Sequence, residues 1–179
     1  MSQDLRIPRV RFRDATPADV PRIAALLNAA AGALAARFGD GPWARLTHEA
    51  AVLRGLPHAH VRLGVLGRQV VSTLRLATKK PWAIDVTYFT PATLPLYVTS
   101  LAVAVPVQRQ GVGRAALRDA EAVARTLGAD ALRLDAYDAP ASASAFYAAA
   151  AFTDRGRRSY RGVPLQYWER CVPPSGRAV

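Results

Sequence analysis

A glycine-rich turn from Gln108 to Arg114 is the segment whose residue types and spacing are best suited to chemistry. Gly111 and Gly113 carry no side chain, so backbone N–H groups there can approach a ligand closely. Apolar residues at helical spacing follow, and the start of a helix favours phosphate through its partial positive charge. Arg109 and Arg114 add two full charges. The turn predicts a site for a phosphorylated ligand, the alternative being a turn with only a structural role.

Two better-known phosphate motifs fit this turn less well. Residues 111–116 formally satisfy the dinucleotide fingerprint G-x-G-x-x-A, and Asp130 follows about 20 residues on. In that fingerprint the strand runs directly into the first glycine, whereas residues 106–110 intervene here. The remaining chain is also too short for a six-stranded doubly wound sheet. A Walker A loop is excluded because neither Lys-Ser nor Lys-Thr follows the glycines.

The flanking sequence predicts the elements that must position the turn. The nearly uncharged run from Leu96 to Val105 is typical of a strand covered on both faces. Residues 60–66 and 69–77 alternate in hydrophobicity around Gly67-Arg68, which indicates a hairpin. Further predictions are a helix after the capping residues Thr16-Pro17, helices over 44–56 and 141–151, strands over 10–14 and 131–136, and a closing hairpin of 153–158 and 165–170.

Residues 79–95 are predicted to form a loop rich in proline, threonine and aromatic residues. Trp82, Tyr88 and Phe89 surround a lone carboxylate, Asp85. Loops of this composition often line a site. We therefore expect Asp85 to anchor a cationic substrate beside Trp82 and Tyr88, with a plain surface or capping role as the alternative.

Two motifs carry a resemblance to a known family. The segment Leu101 to Gly113 resembles motif A of the GCN5-related N-acetyltransferases, the GNAT family, in which Q/R-x-x-G-x-G/A follows an apolar strand. Phe146-Tyr147, followed five residues later by Phe152, resembles the family segment F/L-Y-x-x-x-G-F. The order of predicted elements over residues 9–170 agrees as well.

The resemblance implies a single acetyltransferase domain over residues 1–179, with a core of about residues 9–170 and a flexible tail over 172–179. The implied fold is α/β (α+β), with a mixed, largely antiparallel central sheet flanked by helices and splayed at the acetyl-CoA site. Acetyl-CoA is the implied cosubstrate. The implied contacts to its pyrophosphate are Arg109, Gln110, Gly111, Val112, Gly113 and Arg114, and those to its pantetheine arm are Leu101, Ala102 and Val103.

The resemblance also implies catalytic roles. Tyr147 matches the tyrosine that often protonates the departing CoA thiolate, and transfer from a phenol to a thiolate formed beside it is feasible. Asp135 matches the position where ribosomal-protein N-terminal acetyltransferases carry a glutamate base. An exposed N–H of the strand before the turn would polarise the thioester carbonyl. The expected reaction is direct attack by an amine of a small molecule, a protein N-terminus or a lysine, without an acyl-enzyme on Cys171.

The sequence departs from the family pattern in three places. Pro140 stands where an asparagine often contacts the cofactor, and Ala151 replaces the glycine before Phe152. The strand position that supplies a glutamate base in several members falls near Thr99-Ser100, which has no carboxylate. The general base is therefore left open. A catalytically inactive CoA-binding sensor or interaction module of the same fold is the alternative function.

The acceptor pocket is expected between the first two helices, the aromatic loop and the closing hairpin. The contributions expected besides that loop are Phe38, Trp43, Tyr160 and Tyr167. The three histidines lie in this half of the chain with no residues to pair them, so no metal site is expected.

Composition limits the remaining classes. The 179 residues carry a net charge of +11, from 24 basic and 13 acidic side chains, and this charge alone motivates the hypothesis of a nucleic-acid-binding protein. No helix-turn-helix, zinc or aromatic RNA-binding signature supports that hypothesis, so nucleic acid is not expected as a partner. One cysteine and no secretory signal favour the cytoplasm, and no segment predicts a membrane span. The expected partners are an amine substrate and, in a homodimer, a second copy of the chain.

Overall fold

The computed structural model describes residues 10–173 and forms one mixed sheet with helices on both faces. The predicted tail beyond residue 173 and the predicted start at residue 9 lie outside the described residues. Among the described helices, none has the length and apolar character needed to cross a bilayer. The strands and helices are β1 (Arg11–Asp14), α1 (Val20–Phe38), α2 (Glu49–Gly55), β2 (His60–Leu66), β3 (Gln69–Ala77), β4 (Pro95–Val103), α3 (Val112–Thr126), β5 (Ala131–Tyr137), α4 (Ser144–Ala149), β6 (Thr153–Tyr160) and β7 (Val163–Cys171).

The seven strands are ordered β1-β2-β3-β4-β5-β7-β6. Every neighbouring pair is antiparallel except β4 and β5, which run parallel. The predicted fold class, a mixed and largely antiparallel sheet flanked by helices, is confirmed. Both predicted hairpins are present, β2 with β3 and β6 with β7.

Alternation along β2 places α1 and α3 on opposite faces of the sheet. Successive side chains of a strand point to opposite faces. The Arg62 guanidinium donates to both carboxylate oxygens of Asp119 on α3, at 2.7 and 2.9 Å. Its neighbours Val61 and Leu63 pack instead with Ile23 of α1. The two helices therefore sandwich the middle of the sheet, where β4 lies.

A buried ion pair lies at the point where β4 and β5 separate. Tyr97 and Arg133 are the last paired residues of these two strands. The Arg133 guanidinium donates to the Glu169 carboxylate at 2.9 Å and to the Thr90 carbonyl, and both charged side chains are buried. Thr90 also donates its hydroxyl to Glu169 at 2.7 Å. Both charges are partnered, and loss of either side chain would leave the other charge buried without a partner, which is costly.

The helix predicted over residues 44–56 is wrong in its first half. The α-helix spans only Glu49–Gly55, and a 3-10 turn lies at Pro42–Ala44. The backbone N–H of Thr47 donates to the side-chain oxygen of Asn28 at 2.7 Å, so it is not available for a helical hydrogen bond. A contact from α1 thus overrides the local helical propensity.

The helix predicted over residues 141–151 is likewise shorter, at Ser144–Ala149. Its end is a left-handed turn in which Ala151 has φ +60° and the Phe152 N–H donates to the Tyr147 carbonyl at 3.0 Å. This arrangement usually carries glycine. Ala151 therefore occupies the glycine position of the family segment in the backbone conformation that favours glycine.

Candidate active site

The separation of β4 from β5 leaves an open strand edge inside the sheet. The two strands pair only from Pro95 to Tyr97 on β4, while β5 continues in full register with β7. Residues 98–103 of β4 therefore have no strand partner on the β5 side. Their backbone groups on that side are available to a ligand, because unpaired strand edges bind extended chains.

A β-bulge bends β4 at the middle of this open edge. Thr73 pairs with Ala102 and Arg75 with Thr99, so Ser100 and Leu101 together oppose one residue of β3. Ser100 has φ +53°, a left-handed conformation that is uncommon outside glycine. Bulges re-aim the strand locally and are frequent beside active sites.

The predicted glycine-rich turn leads from β4 into α3. Gly111 precedes the helix with φ +83°, and the first backbone hydrogen bond of α3 runs from Ala115 to the Gly111 carbonyl at 3.0 Å. The N–H groups of residues 112–114 consequently have no partner within the helix. A Cβ on Gly113 would lie 3.1 Å from the Phe146 ring, so that position favours glycine for close packing.

A cavity of about 560 Å³ joins the open edge of β4 to this turn. Seven of the nine predicted cofactor contacts line it: Leu101, Ala102, Val103, Arg109, Gly111, Gly113 and Arg114. The side chains of the other two do not, because Gln110 donates to the Pro106 carbonyl at 3.1 Å and Val112 is buried. The lining residues outside those predicted are Ala30, Leu34, Gln108, Ala143, Phe146, Tyr147 and Ala149. We call this space the cofactor cavity.

A second cavity of about 450 Å³ adjoins the first, and we call it the acceptor cavity. Both are lined by Leu101 and Ala102 of β4 and by Tyr147 of α4. The acceptor cavity has its own polar groups, among them Arg45, Thr99 and Asp135. A ligand in each cavity would meet its neighbour beside Tyr147.

Tyr147 is held by aromatic neighbours and leaves its hydroxyl unbonded. Its ring packs edge-to-face with Phe146 and Phe152, with centroid distances of 5.1 and 5.8 Å, and lies near Trp168. Among residues 10–173 no group hydrogen-bonds to the hydroxyl. Burial, aided by the negative charge of Asp135, raises the pKa of Tyr147 well above its usual value. The phenol is therefore protonated at neutral pH and available as a donor.

Asp135 lies on β5 and lines the acceptor cavity, while Tyr147 lines both cavities. Within the described part of the chain its carboxylate has no ion-pair or side-chain hydrogen-bond partner. Burial raises the pKa of this carboxyl above its ordinary value. An incoming ammonium group would supply the missing opposite charge.

We expect the substitution Asp135→Asn to raise the thermal stability of the protein at neutral pH. Between the ordinary aspartate pKa of about 3.9 and the raised folded-state pKa, the folded protein holds the Asp135 proton more tightly than the unfolded chain does. Rising pH through that window removes stability from the wild type and not from the variant. Calorimetry should show a Tm gain that is larger at about pH 7 than at about pH 4.5, and a gain independent of pH would contradict the assignment.

One wall of the acceptor cavity comes from the irregular segment between α1 and α2, and the sequence indicated only part of it. Trp43 lines the cavity as expected and contacts Tyr137 edge-to-face at a centroid distance of 5.8 Å. Phe38 does not line it and packs beneath the Arg37 guanidinium instead. Tyr137 and Arg45 were missed, because no motif marks them and only the folded chain brings them together.

The prediction that Asp85, Trp82 and Tyr88 bind the acceptor is corrected by their placement. Asp85 and Trp82 line a separate depression of about 280 Å³ that shares no residue with either cavity. The Asp85 carboxylate is already occupied by Arg158 and by the hydroxyl of Thr87, at 2.7 Å from the latter. Asp85 caps a 3-10 turn, which is the alternative role considered for it.

Of the aromatic residues expected beside Asp85, Tyr88 and Phe89 pack against Tyr167, whereas Trp82 is exposed. Tyr88 lies edge-to-face on Tyr167, with a centroid distance of 5.2 Å, and Tyr167 is fully buried. Tyr160 lines the same separate depression as Trp82. Tyr88, Phe89 and Tyr160 thus pack the loop against the closing hairpin and do not line the acceptor cavity.

Known proteins share this architecture. The Salmonella typhimurium protein yncA, solved with its cofactor acetyl-CoA, is 16% identical, with 94% of this chain and 96% of that chain covered and a TM-score of 0.67. The ribosomal-protein-S18-alanine N-acetyltransferase of Escherichia coli is 15% identical, with 95% and 98% covered and a TM-score of 0.68. An acetyltransferase of Thermus thermophilus is 22% identical, with 91% and 97% covered and a TM-score of 0.63. No curated protein matches the chain.

The cofactor cavity suits acetyl-CoA. Free N–H groups at the start of α3 and the guanidinium groups of Arg109 and Arg114 match a pyrophosphate, and the open edge of β4 matches an extended amide-bearing arm. Acetyl-CoA is the cosubstrate of this fold family. The model of the acetyltransferase (GNAT) family matches residues 34–152, which is more than half of the sequence. The chain belongs to the GNAT family of acetyltransferases.

Proposed function

We propose that the protein is an N-acetyltransferase that moves the acetyl group of acetyl-CoA directly to an amine. The observation that carries this proposal is the position of Tyr147, which lines both the cofactor cavity and the acceptor cavity. A departing thiolate needs an acid at this junction, and the protonated hydroxyl of Tyr147 lies there. The carboxylate of Asp135, which has no ion-pair partner among the described residues, lies in the acceptor cavity and can bind an incoming ammonium group.

The chain provides three groups of contacts for the cosubstrate. The N–H groups of residues 112–114 and the charges of Arg109 and Arg114 hold the pyrophosphate. The open edge of β4 from Leu101 to Val103 pairs with the pantetheine arm, and one of its N–H groups donates to the carbonyl oxygen of the acetyl group. Acetyl-CoA supplies the acetyl group as a thioester.

Asp135 prepares the nucleophile. Its carboxylate attracts the ammonium form of the acceptor and accepts a proton from it, which frees the nitrogen lone pair. Burial assists this step because it raises the pKa of the carboxyl toward the range in which a base is effective. Thr99 and Ser100 also line the acceptor cavity, but they carry no carboxylate. Among its lining residues, Asp135 is the acidic one.

Tyr147 completes the exchange. The amine nitrogen forms a bond to the carbonyl carbon, the carbon–sulfur bond breaks, and the Tyr147 hydroxyl donates its proton to the sulfur. The phenolate regains a proton from solvent, the amide nitrogen loses its second proton to solvent, and protonated Asp135 releases its proton to solvent, which restores both side chains. The desolvation that raises the pKa of the phenol also raises that of the thiol, since both anions lose hydration.

Direct transfer is further supported by the place of the single cysteine. Cys171 is exposed at the end of β7, opposite Ala131, and lines neither cavity. An acyl-enzyme would require a nucleophile at the junction, where the described side chains offer Tyr147 alone. The Escherichia coli neighbour is named for N-acetylation of an alanine, which is a reaction of the same chemical class.

We expect release of free thiol from acetyl-CoA that depends on an added amine. The assay would compare small amines, peptides with a free N-terminus, and peptides whose N-terminus is acetylated and whose lysine is free. Binding of acetyl-CoA would be measured by calorimetry on the same sample. Binding with no amine-dependent thiol release from any panel member would contradict the proposal and identify a CoA-binding module. Absence of acetyl-CoA binding would contradict both the enzyme and the CoA-binding module.

A further inference from the structure

Two opposite charges line the acceptor cavity, and neither has an ion-pair partner among residues 10–173. Asp135 stands on β5, and Arg45 stands on the irregular segment between α1 and α2. In the described part of the chain, the Arg45 guanidinium makes no ion pair and no hydrogen bond. Most other acidic groups of the molecule are paired, as Asp19, Asp119 and Glu169 show. A carboxylate and a guanidinium that line one cavity without partners are complementary to a ligand that carries both an ammonium group and an anionic group.

The segment that carries Arg45 is fixed at both ends. The side chain of Asn28 on α1 accepts from the Thr47 N–H at 2.7 Å and donates to the Thr47 carbonyl at 3.0 Å. On the other side, the Tyr137 hydroxyl donates to the Pro42 carbonyl at 3.2 Å. These contacts hold the backbone that carries Arg45 beside the cavity, so less backbone freedom is lost on binding than on a loose loop.

The lining of the cavity also includes apolar and aromatic side chains. Leu27, Ala31 and Leu34 of α1 contribute to it, as do Trp43 and Tyr137, which contact each other. Tyr137 lies within the field of both charges, since its pKa, raised chiefly by burial, is raised further by Asp135 and lowered by Arg45. Both charged groups line this one cavity of about 450 Å³, so a single small molecule can contact both.

We propose that the acetyl acceptor is a small, amino-acid-like amine that carries a carboxylate or other anionic group, with its ammonium on Asp135 and its anion on Arg45. This inference rests on the proposed function and names the substrate class of the same site. A guanidinium binds a carboxylate through two parallel hydrogen bonds. The volume of about 450 Å³ suits a molecule of this size.

The same charges disfavour polyamines and other polycationic acceptors. A polycation would meet one carboxylate in the cavity and would be repelled by Arg45 and by the net charge of +11. Discrimination by a repulsive group is as effective as attraction of the right ligand.

The test compares each amino acid with its own amide as acceptors, for example L-phenylalanine with L-phenylalaninamide and L-leucine with L-leucinamide. The amide keeps the shape and removes the negative charge. Its amine is also less basic, which increases the fraction of neutral nucleophile and works against the expected result. We expect kcat/KM to favour the acid by about tenfold or more, the usual effect of a charged hydrogen bond.

The variant Arg45→Gln should reduce that preference to about unity while the Kd for acetyl-CoA stays unchanged. Arg45→Lys should retain part of the preference, because it keeps the charge and loses the two-point geometry. Arg37→Gln is the matched control, since it removes one exposed charge of α1 that lines neither cavity, and it should retain the full preference.

Equal turnover of acid and amide, a preference that survives Arg45→Gln, or faster turnover of spermidine or of a peptide N-terminus would overturn this inference. So would binding of acetyl-CoA with no turnover of any amino acid while other amines react. The proposed function fails differently, through loss of amine-dependent thiol release with every member of the wider panel.

Discussion

Tyr147→Phe is expected to lower kcat by about 10²–10⁴-fold, the range that general acid catalysis usually supplies, with the Kd for acetyl-CoA nearly unchanged. The substitution removes only the hydroxyl, and the aromatic packing with Phe146, Phe152 and Trp168 remains. The hydroxyl has no hydrogen-bond partner among the described residues, so its loss strands no buried group. Amine-dependent thiol release measures kcat, and calorimetry measures the Kd.

A leaving-group series separates an acid role from a structural one. Acetyl thioesters of thiols with low pKa need no proton to depart, so the deficit of Tyr147→Phe should shrink with them. Tyr160→Phe is the matched control, because Tyr160 lies outside both cavities and should behave as the wild type. An unchanged kcat for Tyr147→Phe, or a deficit of equal size for every thioester, would remove the acid role.

The second large effect is expected at the turn, where Gly111→Ala should weaken acetyl-CoA binding by about 10–100-fold, the equivalent of one or two charge-assisted hydrogen bonds. Gly111 has φ +83° and lines the cofactor cavity immediately before α3. A methyl group there would obstruct approach to the free N–H groups of residues 112–114.

Gly128→Ala controls for the strain of this substitution. Gly128 lies beyond the other end of α3 with φ +73°, and a Cβ there would meet nothing within 4 Å. Both variants should lose about 1–2 kcal/mol of stability, the cost of a left-handed alanine. Only Gly111→Ala should lose affinity for acetyl-CoA, and equal affinities of the two variants would contradict the turn as the pyrophosphate site.

The sequence predicted those parts of the site that depend on local chemistry. The glycines of the turn mark a backbone conformation and a close approach, both of which restrict residue type within a few positions. Tyr147 was found from its motif, and the first hairpin was found from alternation around Gly67-Arg68. In each case the determining contacts are close in sequence.

The parts that were not predicted depend on contacts between distant residues. Helix α2 begins late because Asn28, 19 positions before Thr47, takes that residue's N–H. Asp85 was expected in the site because aromatic residues surround it in a loop, yet Arg158, 73 positions away, pairs with its carboxylate. Arg45 and Asp135 belong to one cavity only after the sheet has formed, and 22 of the 24 basic residues are arginines with no local feature to single one out.

The bulge at Ser100 is a backbone feature that the sequence likewise did not predict. A serine with φ +53° has no local signature, because its conformation follows from the mismatch between β3 and β4. Pro140 and Ala151, by contrast, were visible as departures from the family pattern. Ala151 has a positive φ, the backbone conformation that favours glycine.

The most direct test of this account is the chemical identity of the acetylated product. The protein, acetyl-CoA and matched pairs of acceptors that differ only by an amine or a hydroxyl at the same carbon would be incubated, and the product bond located by fragment mass spectrometry. Acetyl transfer to the nitrogen of the amine members, lost in Tyr147→Phe, is the predicted result. Acetyl transfer to oxygen, or acetyl-CoA bound with no acceptor modified, would contradict the account.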